Sequence, residues 1–360
     1  MFHLFRKDIE KHCAYCKSGS VINEGQVICS RRGVVDSADH CRHFCYDPLK
    51  RVPPRPATLR DQYTSEDFFP VRPGSAPNNK ERRPIPMNIS QVYAVYFSAT
   101  GNTRKVTTTL ANALAVSFDV PLEVRDFTLP AAREEAYEFA AGDLVVFGMP
   151  TYAGKLPNKL LEFVKSGFHG NGALAVPVVT FGNRSFDNSL AELCACLEGD
   201  GFHTIGAGAF ACRHAFTDAL ANGRPDSDDM AELAKLGSAV VGRIVKMTDF
   251  PAPVTVDGDA DAPYYRPLGL DGEPKVFLKA KPKTDLDKCI HCGVCASLCP
   301  MGSINPDDVT EVVGVCIKCH SCVRNCPMGA KYFDDPAFLS HRAMLERDYT
   351  RRAEDKIFTA

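Results

Sequence analysis

Residues 289–300 read CIHCGVCASLCP and residues 316–327 read CIKCHSCVRNCP, and these two segments decide the organisation of the chain. Both follow the pattern C-x2-C-x2-C-x3-C-P, the second offset from the first by 27 residues throughout, and Met301-Gly302 recurs as Met328-Gly329. The two segments are therefore an internal duplication. A zinc-binding duplication is the weaker alternative, because structural zinc sites use CxxC pairs rather than runs of four cysteines.

The spacing of these cysteines is typical of ligands to iron–sulfur clusters. Three cysteines at i, i+3 and i+6 wrap a tight loop around one face of a cubane, and loop amides can then donate to cluster sulfurs. The fourth cysteine of each run ligates the other cluster in two-cluster proteins. We therefore predict two 4Fe–4S clusters, a first held by Cys289, Cys292, Cys295 and Cys326, and a second held by Cys316, Cys319, Cys322 and Cys299. The segment closely resembles the bacterial two-cluster ferredoxin fold, and we do not expect His291 or His320 to be ligands.

Composition places the chain among globular proteins of a reducing compartment. It has 360 residues, 16 cysteines and a net charge of −2. That many cysteines in an intracellular chain favours metal or cluster ligation over disulfides. The near-neutral charge disfavours nucleic acid as a partner. No apolar run approaches the ~18 residues that span a bilayer, and charges interrupt residues 1–10 too early for a secretory signal. We expect a cytoplasmic protein without a membrane span.

The distribution of cysteine and proline divides the chain into six parts. These are a Cys-rich module (1–47), a Pro/Arg-rich linker (48–90), an α/β domain (91–247), a second linker (248–284), the ferredoxin domain (285–335) and a C-terminal tail (336–360). Proline blocks helices and central strands, so both linkers are expected to be extended. The first linker is a candidate lid, and the tail is either a closing helix or a frayed end.

The central part alternates short apolar runs with helical patterns. We predict strands at 91–97, 121–127, 143–149, 174–181 and 203–211, and helices at 102–116, 133–139, 156–165, 185–199 and 226–247. Five βα repeats predict a doubly wound, five-stranded parallel sheet with helices on both faces. A stretch of ~160 residues can bury a core of its own.

The first strand leads into residues 97–106, FSATGNTRKV, where hydroxyls and amides converge at a strand-to-helix turn. The first amides of a helix are unpaired and favour a bound phosphate. Ser98, Thr100, Asn102 and Thr103 can each donate to a monophosphate. The absence of G-x-G-x-x-G and of a Walker lysine argues against a dinucleotide or a nucleoside triphosphate.

This loop resembles the FMN-phosphate loop of flavodoxins. Residues 148–155 (GMPTYAGK) and 180–187 (TFGNRSFD) would form the other two loops at the carboxyl ends of the strands. The resemblance implies FMN contacts from Ser98, Thr100, Gly101, Asn102, Thr103, Pro150, Thr151, Tyr152, Ala153, Gly154, Gly182 and Asn183. Tyr152 is the expected stacking residue, alone or with Phe186, because the chain has no Trp. Arg184, Asp187 and His214 are candidates near the flavin, and no catalytic residue is identified.

The N-terminal module carries a third group of cysteines. A CxxC knuckle followed by further cysteines suits a tetrahedral metal site. We predict Cys13, Cys16, Cys29 and Cys41 as ligands, with Cys45 or His43 as the alternative fourth. Zinc is favoured because a small segment without a hydrophobic core needs a cross-link such as a bound metal to be stable. A third iron–sulfur cluster is the alternative.

A flavodoxin-like domain followed by a two-cluster ferredoxin resembles the ferredoxin-fused flavodoxin family of anaerobic bacteria, over about residues 88–335. The resemblance implies FMN, two 4Fe–4S clusters and electron transfer between them. We expect an electron carrier or oxidoreductase of anaerobic metabolism, with redox partner proteins and a small-molecule donor or acceptor. Two alternatives stay open: a shuttle that only docks other proteins, which predicts an open flavin edge, and a redox-responsive binding module that uses the N-terminal segment.

Overall fold

The structure is a computed structural model that divides into two compact units, Met1–Glu81 and Arg82–Ala360. It describes residues 11–23, 25–47, 50, 89–247, 249–250 and 252–359. Nearly all of the linker predicted at 48–90, and with it the candidate lid, lies outside the described residues. Within these ranges no helix is long and apolar enough to cross a membrane.

The described part of the N-terminal unit is a small antiparallel sheet. A 3-10 turn at Cys13–Tyr15 precedes β1 (Gly19–Asn23), β2 (Gln26–Cys29) and β3 (Gly33–Asp36), which pair in that order. The buried apolar side chains described here are Val27 and three cysteines, Cys13, Cys16 and Cys29. Within the described part of this unit, one valine gives almost no apolar core.

The second unit begins with the α/β domain. Its elements are β4 (Gln91–Tyr96), α1 (Asn102–Phe118), β5 (Leu122–Asp126), β6 (Tyr137–Glu138), β7 (Asp143–Pro150), α2 (Leu161–Ser166), β8 (Phe168–His169), β9 (Leu174–Phe181), α3 (Ser189–Gly199), β10 (His203–Thr204), β11 (Ala207–Ala211) and α4 (Ser227–Lys246). The long strands are parallel in the order β11-β9-β7-β4-β5. The predicted doubly wound fold is confirmed, and the strand order reverses between β4 and β7, which is where such folds bind ligands.

Burial explains why these strands were recognisable in the sequence. Strand β9 is buried along its whole length and β7 along nearly all of it, as the central strands of a doubly wound sheet are. Helices α1 and α4 cover one face with residues such as Leu110 and Val240. A cluster of phenylalanines that includes Phe127 and Phe168 fills the other face.

Two predicted helices are wrong in whole or in part. Residues 133–139 form the end of a 3-10 turn, Pro130–Arg133, followed by β6, because Tyr137 stacks on Phe168 in the neighbouring short strand β8. The helix predicted at 156–165 begins only at Leu161. The backbone of Leu156 is held by two side chains instead: its N–H donates to Glu192 Oε2 (2.8 Å), and its carbonyl accepts from the Tyr264 hydroxyl (2.8 Å).

The predicted strand at 203–211 splits into β10 and β11, both of which pair with β9. The C-terminal part then adds β12 (Lys283–Thr284), α5 (Val294–Ser297), α6 (Ser321–Arg324), β13 (Lys331–Tyr332), α7 (Pro336–Asp348) and β14 (Lys356–Phe358). Of the two predictions for the tail at 336–360, the closing helix is the one observed, as α7. Strand β14 then pairs antiparallel with β11, so the described sheet has more strands than the five predicted and is not wholly parallel. Three residues are too few to show a strand period, so this strand could not be predicted from its pattern.

Candidate redox site

The three loops at the carboxyl ends of β4, β7 and β9 meet around one cavity of about 230 Å³. The predicted FMN contacts that line it are Thr100, Asn102, Thr103, Pro150, Thr151, Tyr152, Ala153, Gly154 and Gly182. Ser98, Gly101 and Asn183 are not part of its lining. The fold therefore brings residues from all three predicted loops to a single place.

The loop before α1 is shaped by its own polar side chains. Gly101 takes a φ of +90° in the turn, a conformation that favours glycine. Ser98 Oγ accepts from the amide of Arg104 (3.0 Å), Asn102 Nδ2 donates to the carbonyl of Arg213 (3.0 Å), and the Thr103 and Thr180 hydroxyls lie 2.8 Å apart. These bonds fix the loop. The first amides of α1 and the Thr100 hydroxyl are then the groups suited to a phosphate.

Each of the other two loops has a glycine at which a neighbouring side chain comes very close. A Cβ at Gly154, whose φ is +78°, would come within 2.4 Å of Asp187 Oδ2. A Cβ at Gly182 would come within 2.3 Å of His214 Cδ2. The cradle formed by these glycines, with apolar walls and a phosphate-binding turn at one end, fits FMN.

Asn183 has a different position from the one predicted. It is 2% exposed, and its Nδ2 donates to the carbonyls of Tyr349 and Arg351, both at 2.7 Å. Its Oδ1 accepts from the amide of Ala353 (3.2 Å). Asn183 thus holds the segment that follows α7. The loop motif alone could not show this, because the partner lies about 170 residues away in sequence.

His214 lines the cavity and is partly buried. Its Nδ1 accepts from the amide of Phe216 (3.1 Å), which leaves Nε2 to carry the proton of the neutral ring. Burial, and next the charges of neighbouring groups such as His341 and Arg324, lower the pKa of His214 to about 3. The ring is therefore neutral at physiological pH and can act as a hydrogen-bond donor.

This lowered pKa predicts a pH effect on stability. Between pH 6.5 and 3 the unfolded chain binds a proton at His214 that the folded chain does not, so the folded state loses stability as pH falls. By pH 5 the loss amounts to about 1 to 2 kcal/mol. His214→Gln keeps an acceptor for the Phe216 amide and removes the titration. The thermal midpoint of the anaerobic holoprotein should therefore fall less between pH 7.5 and 5.0 in the variant than in the wild type. Equal falls would contradict the assignment.

The cavity is covered by parts of the chain that lie outside the α/β domain. Tyr265, Pro267 and Phe277 come from the second linker, and His341 and Leu345 from α7; we call these five residues the roof. Of the described residues that line the cavity, Arg184, Arg213 and Lys318 are cationic and none is Asp or Glu. The cavity therefore suits an anionic ligand.

The eight C-terminal cysteines line two further cavities. One contains Cys289, Cys292, Cys295 and Cys326, and the other contains Cys316, Cys319, Cys322 and Cys299. The fourth cysteine of each run thus lies with the first three of the other run. This is the grouping that the sequence predicted from the spacing.

Backbone amides point at the cysteine sulfurs. The amide of Ser303 donates to Cys299 Sγ (3.3 Å), that of Lys318 to Cys316 Sγ (3.4 Å) and that of Ala330 to Cys326 Sγ (3.2 Å). Burial opposes ionisation of Cys326, but the amides of residues 328–331 outweigh it and lower its pKa. Amide donors stabilise thiolates, so the donor set fits two 4Fe–4S clusters.

Tyr152 connects the large cavity to the second group of cysteines. Burial, and then the neighbouring Cys319 and Cys316, raise the pKa of Tyr152 well above its usual value. Ile317 and Lys318, which lie between those two cysteines in the chain, line the large cavity itself. The cavity of the second cysteine group therefore adjoins the large cavity.

The N-terminal cysteines are close together but less regular. Cys13, Cys16 and Cys29 are buried, Cys41 is partly buried and Cys45 is exposed. Burial, and then Asp39 and Cys29, raise the pKa of Cys13. Across the described residues, no three His, Cys, Asp or Glu side chains are grouped so that they could hold a single metal ion. The N-terminal metal site stays a prediction.

Comparison with known proteins places the two domains. The family model of the flavodoxin domain matches residues 93–179, and that of the 4Fe–4S dicluster domain matches residues 281–327. The chain thus carries a flavodoxin domain followed by a 4Fe–4S dicluster domain, as the resemblance to ferredoxin-fused flavodoxins implied. Domains of these kinds act in electron transfer with FMN and iron–sulfur clusters.

The chain is also similar to several solved structures. An archaeal flavodoxin is 16% identical, matching 43% of this chain and 98% of its own, with a TM-score of 0.30. A Fusobacterium nucleatum flavodoxin solved with flavin mononucleotide is 13% identical (44% and 97%, TM-score 0.30). Rubredoxin oxygen:oxidoreductase from Desulfovibrio gigas is 14% identical (44% and 38%, TM-score 0.29). A search of the curated proteins finds no match.

Proposed function

We propose that this chain is a cytoplasmic oxidoreductase or electron carrier of anaerobic metabolism that moves electrons between FMN and two 4Fe–4S clusters. One observation carries the proposal: the cavity suited to FMN is lined both by the three flavodoxin loops and by Ile317 and Lys318 of the second cysteine loop. When bound, FMN would supply conversion between one-electron and two-electron transfer, and the clusters would supply one-electron transfer.

The residues of the cavity would hold and shield the cofactor. The first turn of α1 and Thr100 would bind the phosphate, and Arg213, whose carbonyl accepts from Asn102, would help neutralise it. Tyr152 would pack between the flavin and the cysteine loop. The roof would exclude water from the flavin.

The roof also favours a small-molecule donor or acceptor over a shuttle that docks proteins at the flavin. A shuttle needs an accessible flavin edge, whereas here Tyr265, Phe277 and Leu345 line the cavity from above. The surface around the first cluster site is open by contrast: Cys292 is exposed, Ile290 is 61% exposed and Met328 is 46% exposed. We place the redox partner protein at that surface.

Two further parts of the proposal rest on cysteines. None of the sixteen cysteines forms a disulfide, which supports a reducing compartment such as the cytoplasm. In the described part of the N-terminal unit the buried apolar side chains are three cysteines and one valine, which supports a structural metal, zinc or a third cluster, as the source of its stability.

The test is the metal and flavin content of protein purified anaerobically. We expect about eight irons, one FMN and one zinc per chain. About twelve irons without zinc would make the N-terminal unit a third redox centre. A full iron content without flavin would contradict the proposed function, because it would leave the central cavity for another ligand.

A further inference from the structure

A lysine is buried beside the first cluster site. Lys331 is 3% exposed, and it lines the cavity that contains Cys289, Cys292, Cys295 and Cys326. Its Nζ donates to the Thr284 hydroxyl (2.7 Å) and to the carbonyl of Val309. Both partners are neutral oxygens, and no described carboxylate forms a salt bridge with it. A buried ammonium without a counter-ion is costly, and an anionic group in the cavity would offset that cost.

The internal duplication shows that a fully buried lysine occupies this position in one half only, although the partly exposed Lys318 lies in the loop of the second group. The 27-residue offset that relates the two cysteine runs also relates Lys331 to Ile304. Ile304 is 4% exposed and lines the cavity of the second cysteine group. Equivalent positions in the two halves are therefore equally buried, but one carries an ammonium and the other a hydrocarbon.

The charge of Lys331 acts on the cysteines around it. Lys331 lines the same cavity as all four cysteines of the first group and is not part of the lining around the second group. Asp308, whose pKa is lowered mainly by Thr310 and only slightly by Lys331, is exposed to water and does not neutralise the ammonium.

We propose that Lys331 raises the reduction potential of the first cluster above that of the second, so that electrons collect at the cluster farther along the path from the FMN cavity. One-electron reduction adds one negative charge to a 4Fe–4S cluster without forming or breaking a bond, and a buried cation stabilises that charge. The electron is supplied by the reduced flavin, so this inference rests on the proposed function. It adds a direction of flow, from the flavin through the second cluster to the exposed surface of the first.

The experiment is an anaerobic redox titration of the full chain, monitored by electron paramagnetic resonance. The variant Lys331→Gln keeps a donor for Thr284 and Val309 and removes the charge. At a fixed potential, we expect the ratio of reduced to oxidised first cluster to fall about tenfold, a shift of about 59 mV for a one-electron couple, with a smaller shift of the second cluster. The titration also assigns the signals when it is repeated in a chain whose second cluster has been removed by Cys319→Ala and Cys322→Ala.

Lys283→Gln is the matched control, since Lys283 lies on the paired strand β12 but is solvated. Its side chain is 60% exposed and pairs with Asp334 at 2.7 Å. We expect Lys283→Gln to leave the reduction potentials of both clusters unchanged. Lys331→Arg, which keeps the positive charge, should retain the wild-type potential of the first cluster. Equal shifts of both clusters, or none, in Lys331→Gln would overturn the inference. If Lys331→Gln loses iron, two other variants decide. Lys331→Arg should keep the wild-type potentials. Ile304→Lys, made in the otherwise wild-type chain, should raise the reduction potential of the second cluster, because it adds a charge at the equivalent position. The titration needs no bound FMN, so its failure is separate from that of the proposed function.

Discussion

Replacing Cys319 and Cys322 together by alanine should abolish electron transfer from the flavin to the iron–sulfur domain. The two sulfurs line the cavity of the second cluster, beside Ile317 and Lys318, which line the FMN cavity. The variant should retain about four irons per chain, those of the first cluster. The remaining cluster should be reducible by an external reductant but not by photoreduced FMN. The measurement is the bleaching of cluster absorbance after a flash that reduces the flavin.

The matched variant is the equivalent pair in the other half of the duplication, Cys292→Ala with Cys295→Ala. It should lose the same number of irons, but the second cluster, which adjoins the flavin, should still be reduced after the flash. Equal behaviour of the two variants would show that the two clusters are equally placed with respect to the flavin. That result would contradict the path inferred from Tyr152 and the cysteine loop.

Replacing Arg224 by methionine should destabilise the second unit by about 3 to 5 kcal/mol. The Arg224 side chain is 4% exposed and pairs with Asp229 (2.5 Å) and Asp355 (3.1 Å), each 2% exposed. It also donates to the carbonyl of Ala353 (2.6 Å). Without it, Asp355 has no salt-bridge partner among the described residues, and Asp229 keeps only the half-exposed Arg352. Burial, and next the Asp229 carboxylate, already raise the pKa of Asp355 to about 6.

Thermal unfolding of the holoprotein measures this effect, and the midpoint should fall by roughly 10 °C. Arg352→Met is the control. Its side chain contacts the same Asp229 at 2.8 Å but is 49% exposed, so the loss should be about 1 kcal/mol or less. Because Ala353 follows α7, which carries part of the roof, Arg224→Met should also retain less FMN than Arg352→Met. Equal destabilisation by the two variants would contradict the role given to burial.

The sequence predicted those features that depend on local pattern. The buried strands β7 and β9 are continuous apolar runs, and the cysteine spacing carried the grouping of the cluster ligands. Prediction from the sequence failed where a residue distant in the chain determines the local structure. Asn183 matches a flavin loop in sequence, yet it binds the segment after α7, and Tyr137 joins a strand because Phe168 lies beside it.

The roof and Lys331 are two further features that sequence-based prediction did not find. Nothing near Tyr265 or Leu345 in the sequence marks them as cavity residues, because their place depends on how the linker and α7 pack on the sheet. Lysine at position 331 reads as a surface residue by composition. The duplication contained a usable signal, since Ile304 stands at the equivalent position and equivalent positions have equivalent burial.

The most direct test of the account is whether the flavin reduces the clusters of its own chain. Anaerobic holoprotein is flashed to reduce FMN, and the loss of cluster absorbance is followed at several protein concentrations. A single cavity shared by the flavin loops and the second cysteine loop predicts a first-order rate that does not change with concentration. A rate proportional to protein concentration would mean that electrons pass only between molecules, and it would contradict the account.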